Sequence, residues 1–410
     1  MKIAIISSGF LPVVDGVTVT QINRLQQLSQ YGHQLLLFCP DYSQLANIYP
    51  NWQAYTGHIL PGVRIVNLKS ESFLGLDFER NVSRRSYQVV LQELQNFQPD
   101  IIHVDEPERL FTGFLKIPGI YYAKKADIPC VSFFHTNLLE YGKDYFNTPT
   151  VIDRIIRYIL KFPLTWIYNA YDLTLVSNRV TQQKLTKLGI KNLLREELLG
   201  IDIAKFSPQL RQTDFFTNKY QLPNIEQKVK LIFLGRLTLD KGWNFTLDAF
   251  TKIAQEVNLD NIALIIAGDG SMRDRITEKL SAIIPHTYLL GRVSPDDVPA
   301  LLINSDIHVT TSEKETKGLT ILEAFSAGIP VLAPRAGGVV DSIDDGENGL
   351  LFTPQDKADF ASKLKTLIDN SKLRQTMGIK AKESVAKYSW EQATKNLLKI
   401  WQQQIEDKSN

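Results

Sequence analysis

Short, almost wholly apolar runs alternate along the chain with longer stretches in which apolar residues recur every three or four positions. The first kind predicts parallel strands covered on both faces, the second amphipathic helices packed against them. In the first half the runs fall at 2–7, 34–39, 64–67, 100–104, 128–134 and 172–176, with helical patterns at 18–31, 80–97, 150–170 and 178–189. The rhythm lapses over the polar stretch 207–228. It restarts with strands at 230–234, 261–266, 286–290, 306–310, 330–333 and 349–352, and helices at 242–256, 270–282, 295–303, 318–327 and 356–370. A final helical pattern from Trp390 to Asp407 carries Ala393, Leu397, Leu398 and Trp401 on one stripe. Two successive βα series predict two doubly wound α/β domains, 1–206 and 207–386, with 387–410 as a terminal helix. Ligands of such sheets bind beyond the carboxyl ends of the strands.

Composition narrows the function classes. The 410 residues are 44% hydrophobic and 22% charged, which is globular. Basic and acidic side chains number 46 and 44, so nothing draws the chain electrostatically to nucleic acid, and no such partner is expected. The two cysteines, Cys39 and Cys130, sit inside apolar runs and read as core residues. The apolar start, Met1 to Ile6, is too short for a signal-peptide core, and no run of about 18 apolar residues occurs. A cytoplasmic protein is expected, with peripheral attachment to the inner face of the plasma membrane left open.

Several chemistries are absent by inspection. Gly268-Asp269-Gly270 continues as Ser-Met-Arg, which breaks the dinucleotide fingerprint. The chain has no P-loop, no Gly-x-Ser-x-Gly, no His-Glu-x-x-His and no Asp-x-Asp. No metal and no cofactor are therefore expected, and an anionic substrate would be neutralised by the protein's own cations.

Two segments of the second half carry the chemistry. In the first, a strand ends at Gly235-Arg236-Leu237-Thr238-Leu239-Asp240-Lys241-Gly242, placing two cations before a helix. Such a pair suits a diphosphate and its developing charge, and equally suits a solvated surface loop. In the second, a strand gives way to the loop Thr311 to Lys317 and to a helix opening at Gly318. The free amides of Gly318, Leu319 and Thr320 at a helix N-terminus suit phosphate. Glu315 and Glu323 suit the paired hydroxyls of a sugar; the alternative is a solvated loop residue and a helix salt-bridge partner.

Taken together these segments resemble the nucleotide-sugar domain of family 4 (group 1) retaining glycosyltransferases. The resemblance rests on Gly235-Arg236-Leu237 with Lys241-Gly242, on Glu315 and Glu323 eight apart, and on Leu322-Glu323-Ala324 through Gly328-Ile329-Pro330-Val331. Gly337-Gly338 and Asp345-Gly346-Glu347-Asn348-Gly349-Leu350 complete it. It implies the GT-B fold, two Rossmann-like domains facing a central cleft, with acceptor on the first and donor on the second. It also implies that Arg236 and Lys241 hold the donor diphosphate, Glu323 the ribose, and Glu315 the transferred sugar. One departure is Lys317, where the family commonly has an aromatic residue; it signals either an anionic sugar or a solvated substitution.

The first half adds weaker matches. Asp15-Gly16 makes a turn, with Thr18 able to cap the next helix, and Gly16 resembles part of the family's first glycine loop over the donor. His135 ends a strand in Phe133-Phe134-His135-Thr136-Asn137, where the family places a histidine near the donor sugar. His103 reads as structural, while Asp105, Glu106 and Asn137 are acceptor candidates. Arg80, Arg84 and Arg85, and separately Arg154, Arg157 and Lys161, punctuate helical patterns that suit either an anionic membrane or solvent. The expected activity is transfer of a hexosyl group from a UDP- or GDP-sugar to a glycan or lipid hydroxyl, in polysaccharide or glycolipid synthesis. A sugar-nucleotide epimerase and a catalytically silent nucleotide-sugar-binding subunit are the rivals.

Overall fold

The computed structural model describes residues 1–73, 76–135, 161–223, 225–254, 259–315 and 317–409. They form two compact units: one from the described residues up to 200 together with 390–409, the other from 201–389. The sequence expectation put the two crossings at 206/207 and 386/387. They fall at 200/201 and 389/390 because Ile201 bridges to Ser389, and Ile201, Phe206 and Tyr388 pack into the second unit's core.

The first unit is built on eight strands. They are β1 (Lys2–Ser7), β2 (Gln34–Pro40), β3 (Gly57–Leu60), β4 (Val63–Leu68), β7 (Ile101–Asp105), β8 (Cys130–Phe134), β9 (Leu173–Val176) and β10 (Leu193–Arg195). Their order is β10-β9-β8-β7-β1-β2-β4-β3, parallel except for β3 against β4. A separate antiparallel ribbon pairs β5 (Ser70–Phe73) with β6 (Leu76–Val82). That ribbon corrects the helical pattern over 80–97: Arg80 lies in β6, Arg84 and Arg85 form a turn, and the helix is Ser86–Phe97. Arg80 is buried because its guanidinium donates to the Ser70 carbonyl at 2.7 Å and hydroxyl at 3.1 Å. Arg154 and Arg157 lie outside the described residues, and Lys161, the first described residue after them, is part of a helix that runs to residue 168.

The second unit has six parallel strands: β11 (Val229–Leu234), β12 (Ile262–Ala267), β13 (Thr287–Gly291), β14 (Ile307–Val309), β15 (Val331–Pro334) and β16 (Gly349–Phe352). Their order is β13-β12-β11-β14-β15-β16. Alternate residues feed two cores. Leu231, Leu264 and Ile266 face one with the helices Trp243–Ile253 and Lys357–Asp369; Ile232, Ile265 and Ala267 face the other with Val298–Ile303 and Leu319–Ala327. Both faces are therefore covered, which is why the strands read as unbroken apolar runs.

Cys39 and Cys130 are free and fully buried, as their surroundings in the sequence required. In the first unit the last helix, Trp390–Ser409, lies against the helix Gly16–Gln30 and buries Trp390, Ala393, Thr394, Leu397 and Trp401. Leu398 is only half-buried, and Thr394 takes the core-facing place expected for it.

Candidate active site

Chain order reverses in the second sheet between β11 and β14, which lie side by side although two strands separate them in sequence. At such a switch point the two following loops diverge and open a crevice. The loop after β11 carries Arg236 and Lys241, and the loop after β14 carries Glu315. The structure brings them together: Lys241 Nζ donates to Glu315 Oε1 at 2.5 Å. Gly242, at φ +78°, makes this approach possible, since a Cβ there would stand 2.3 Å from the Thr311 carbonyl. Thr311 ties the loops by donating to the Lys241 carbonyl at 3.1 Å, and its hydroxyl meets that of Thr246 at 2.7 Å.

Burial would raise the Glu315 carboxyl, but the Lys241 charge and hydrogen bond, with the Ser312 hydroxyl, hold it below its ordinary value. It is a paired carboxylate rather than a solvated one. Its backbone is also held: Gly338 N–H donates to the Glu315 carbonyl at 2.7 Å, and a Cβ on Gly337 would meet that same oxygen at 2.7 Å. Arg236 reaches Asp240 at 3.1 Å, with its guanidinium partly exposed and the carboxylate enclosed.

The helix Leu319–Ala327 opens at Gly318, which adopts φ +74° and offers no side-chain cap. Glu323 lies half-buried on its second turn. Among the described residues it has no ion-pair partner, and burial raises its carboxyl to about 7. The salt-bridge alternative for Glu323 is thereby removed. So is the solvated alternative for Lys317, which is 1% exposed with its ammonium 4.4 Å from the Tyr388 ring centroid.

In the first unit the chain order reverses between β1 and β7. Asp105 ends β7 and is fully buried. His135, just beyond β8, donates from Nε2 to Asp105 Oδ1 at 2.6 Å. Burial alone would raise the Asp105 carboxyl, yet the Arg24 charge, with the interactions of His103 and His135, holds it well below the carboxylate range. This enclosure corrects the expected acceptor role of Asp105, whose carboxylate is committed to protein groups. Glu106 is nearly buried, accepts from the Ser8 hydroxyl and has a left-handed backbone, φ +53°. Asn137 lies outside the described residues. Gly16 is exposed at the first helical position, and the helix is capped by Asp15, not Thr18: Asp15 accepts from Thr18 N–H at 2.9 Å and Thr18 Oγ1 reciprocates.

Sequence reasoning passed over Asp240, Gln21 and Arg24. The signal for the last two was present, because they share a helical face with Leu25 and Leu28, and polar residues on a buried face need partners.

Comparison with known proteins decides the family. The sequence model described as "Glycosyl transferases group 1" matches residues 214–384, and "Glycosyltransferase Family 4" matches residues 14–196. The chain belongs to this family. By that membership it is a hexosyltransferase. It is 32% identical over 311 residues to the sulfoquinovosyl transferase of Arabidopsis thaliana, a match covering 74% of this chain and 57% of that protein. It is 27% identical over 401 residues to a GDP-mannose-dependent alpha-mannosyltransferase of Mycolicibacterium smegmatis, covering 95% and 94% of the two chains. Among solved structures, Anabaena HepE in complex with UDP and glucose superposes with a TM-score of 0.72 at 17% identity, over 98% of this chain and 100% of that one. This last likeness establishes the GT-B fold.

Proposed function

We propose that this family 4 glycosyltransferase moves a hexosyl group from a UDP- or GDP-sugar to a hydroxyl of a glycan or lipid, retaining the anomeric configuration. The observation that carries the reading is the Lys241–Glu315 pair at the sheet's switch point, beside Arg236 and an uncapped helix N-terminus. Lys241 and Arg236 bind the diphosphate and stabilise the charge that grows as it leaves; the amides of Leu319 and Thr320 add to this. With Lys241 turned to phosphate, Glu315 accepts from hydroxyls of the transferred sugar. Glu323 accepts from the ribose, and Gly235 and Gly16 allow close backbone approach. His135 meets a sugar hydroxyl, and Glu106 an acceptor hydroxyl. Attack from the face of the departing phosphate, which takes the acceptor proton, accounts for retention without a protein nucleophile.

The mannosyl and sulfoquinovosyl relatives support hexosyl donors. A peripheral contact with anionic membrane has its own support in the first unit. Phe162 and Trp166, spaced four apart on one helix, are 60% and 59% exposed, and Trp166 packs on Phe111 beside Leu115, which is 56% exposed. Lys116 and Lys161 flank them. Such a strip suits a lipid surface.

The test is transfer from UDP- and GDP-sugars by wild type, Arg236→Ala and Lys241→Ala. Loss of transfer in folded variants upholds the reading, and full transfer by both rejects it. Product analysis that finds an isomerised donor without acceptor would favour the epimerase.

A further inference from the structure

Four side chains, two from successive turns of the helix Gly16–Gln30, one from β7 and one just beyond β8, converge on one buried carboxylate in the first unit. Asp105 Oδ1 receives His135 Nε2 at 2.6 Å and His103 Nε2 at 3.2 Å; Oδ2 receives Gln21 Nε2 at 3.2 Å and Arg24 Nη1 at 3.3 Å. The shortest contact is to His135, and its chemistry is directional. An ionised carboxylate only accepts, so the imidazole nitrogen facing it must carry a proton. In a neutral ring the other nitrogen, Nδ1, is then an acceptor, and among the described residues Nδ1 has no hydrogen-bond partner. Phe133 restrains the ring from its face, with centroids 3.9 Å apart and planes 41° apart. The clamp is itself backed: His103 meets Trp401 of the terminal helix edge to face, centroids 5.4 Å apart.

We propose that Asp105 is a positioning residue that holds the proton of His135 on Nε2 and so presents Nδ1 as the acceptor for a sugar hydroxyl. The proposal rests on the reading that His135 touches a sugar. Nothing in that reading assigns Asp105, which the sequence suggested for acceptor contact instead. A protonated Asp105 or an amide in its place would no longer demand the proton, and the ring would populate both tautomers.

The experiment uses the full chain with ¹⁵N-labelled histidine and three variants: Asp105→Asn, His135→Gln and the double variant. The His135 signals, identified by their loss in His135→Gln, should show a protonated Nε2 and an unprotonated Nδ1 in the wild type, and mixed protonation in Asp105→Asn. Turnover in Asp105→Asn should fall on the order of 10- to 100-fold, as when an orienting partner of a functional histidine is lost. The nucleotide dissociation constant should stay within about twofold, because the groups proposed for the diphosphate and the ribose lie in the other unit. The double variant should be no slower than His135→Gln. A folded Asp105→Asn with wild-type turnover, an unchanged tautomer or additive losses overturns the proposal. If His135→Gln keeps full turnover, the sugar-contact reading of His135 falls, while the tautomer signals still report on the clamp by themselves. Should Asp105→Asn fail to fold because Arg24 is left uncompensated, the Arg24→Gln/Asp105→Asn pair removes both charges and supports the same measurements.

Discussion

Lys241 Nζ and Glu315 Oε1 lie 2.5 Å apart although 74 residues separate them. Each comes from the loop beyond one of two adjacent strands, β11 and β14, and each is about four-fifths enclosed. On the proposed reading this charge-assisted contact exchanges: a diphosphate offers Lys241 a stronger partner, and Glu315 is then free to accept from hydroxyls.

Removing the cation should therefore weaken the diphosphate complex. Lys241→Ala is expected to lower UDP or GDP affinity by roughly 10- to 100-fold, the worth of a hydrogen bond to a charged group. Isothermal titration checks this. Equal affinity in a folded variant would place the diphosphate elsewhere.

Gly337 tests the support of Glu315. Its φ is +61°, and a Cβ would come within 2.7 Å of the Glu315 carbonyl and 2.8 Å of the Glu313 carbonyl. Both are backbone atoms, so the loop itself must move. Gly337→Ala should cut turnover at least about tenfold, since small misplacements of reacting groups are costly. Unchanged kinetics would show that the loop's position is immaterial.

Glu323 gives a pH signature. Its folded pKa of about 7 lies above the ordinary 4.5, so the folded protein binds the proton more tightly than the unfolded chain does. This contribution to stability declines as pH rises from 4.5 through 7. If Glu323 holds the ribose as proposed, it does so as the carboxylate, so nucleotide affinity should climb across pH 6 to 8 beyond the climb caused by the phosphates. Glu323→Gln should lose that excess, and its melting temperature should gain on the wild type above pH 7. Parallel affinity profiles would remove Glu323 from the site.

Two buried histidines predict acid sensitivity. Burial lowers His103 and His308 from 6.5 to about 4. Between these values the unfolded chain takes up protons that the folded protein refuses, so stability is whole above pH 6.5 and falls towards pH 4. Each accounts for about 3 kcal/mol at most. His308→Gln keeps a donor for the Ile232 carbonyl and should flatten this slope in denaturant titrations at pH 7 and pH 5. An unchanged slope would mean that His308 does not titrate there.

The exposed strip of the first unit should bind anionic vesicles. Co-sedimentation with phosphatidylglycerol vesicles is expected at low salt, weakening as salt rises, and Phe162→Ser/Trp166→Ser should abolish it. No binding at low salt would leave the strip without a lipid partner.

Most strands and most helices could be read from periodicity, because strands covered on both faces must be apolar and surface helices must be amphipathic. The ribbon β5–β6 and the edge strands β3 and β10 could not. They lie at sheet edges or outside the main sheet; β3 and β10 are short and have no fully buried residue, and β5 buries only Ser70. The segments proposed to hold the donor were legible because glycines and charges at strand ends are costly to place without a purpose. Gly337-Gly338 is only a pattern in the chain; its contact with the Glu315 backbone appears when β15 is set beside β14.

The linear chain by itself determined the two α/β halves, the positions of the strand-end loops and the residue types proposed to bind a nucleotide sugar. These follow from local pattern, which needs no knowledge of neighbours. Which cation meets which carboxylate was decided by strand order, since only the placement of β14 beside β11 brings Glu315 to Lys241. The fate of the buried polar groups was decided the same way. In the chain Asp105 reads as an acceptor candidate and Lys317 as either a sign of an anionic sugar or a solvated substitution, and packing encloses both. Burial and pairing depend on residues distant in sequence, so only the tertiary structure could turn an acceptor candidate into the partner of His135.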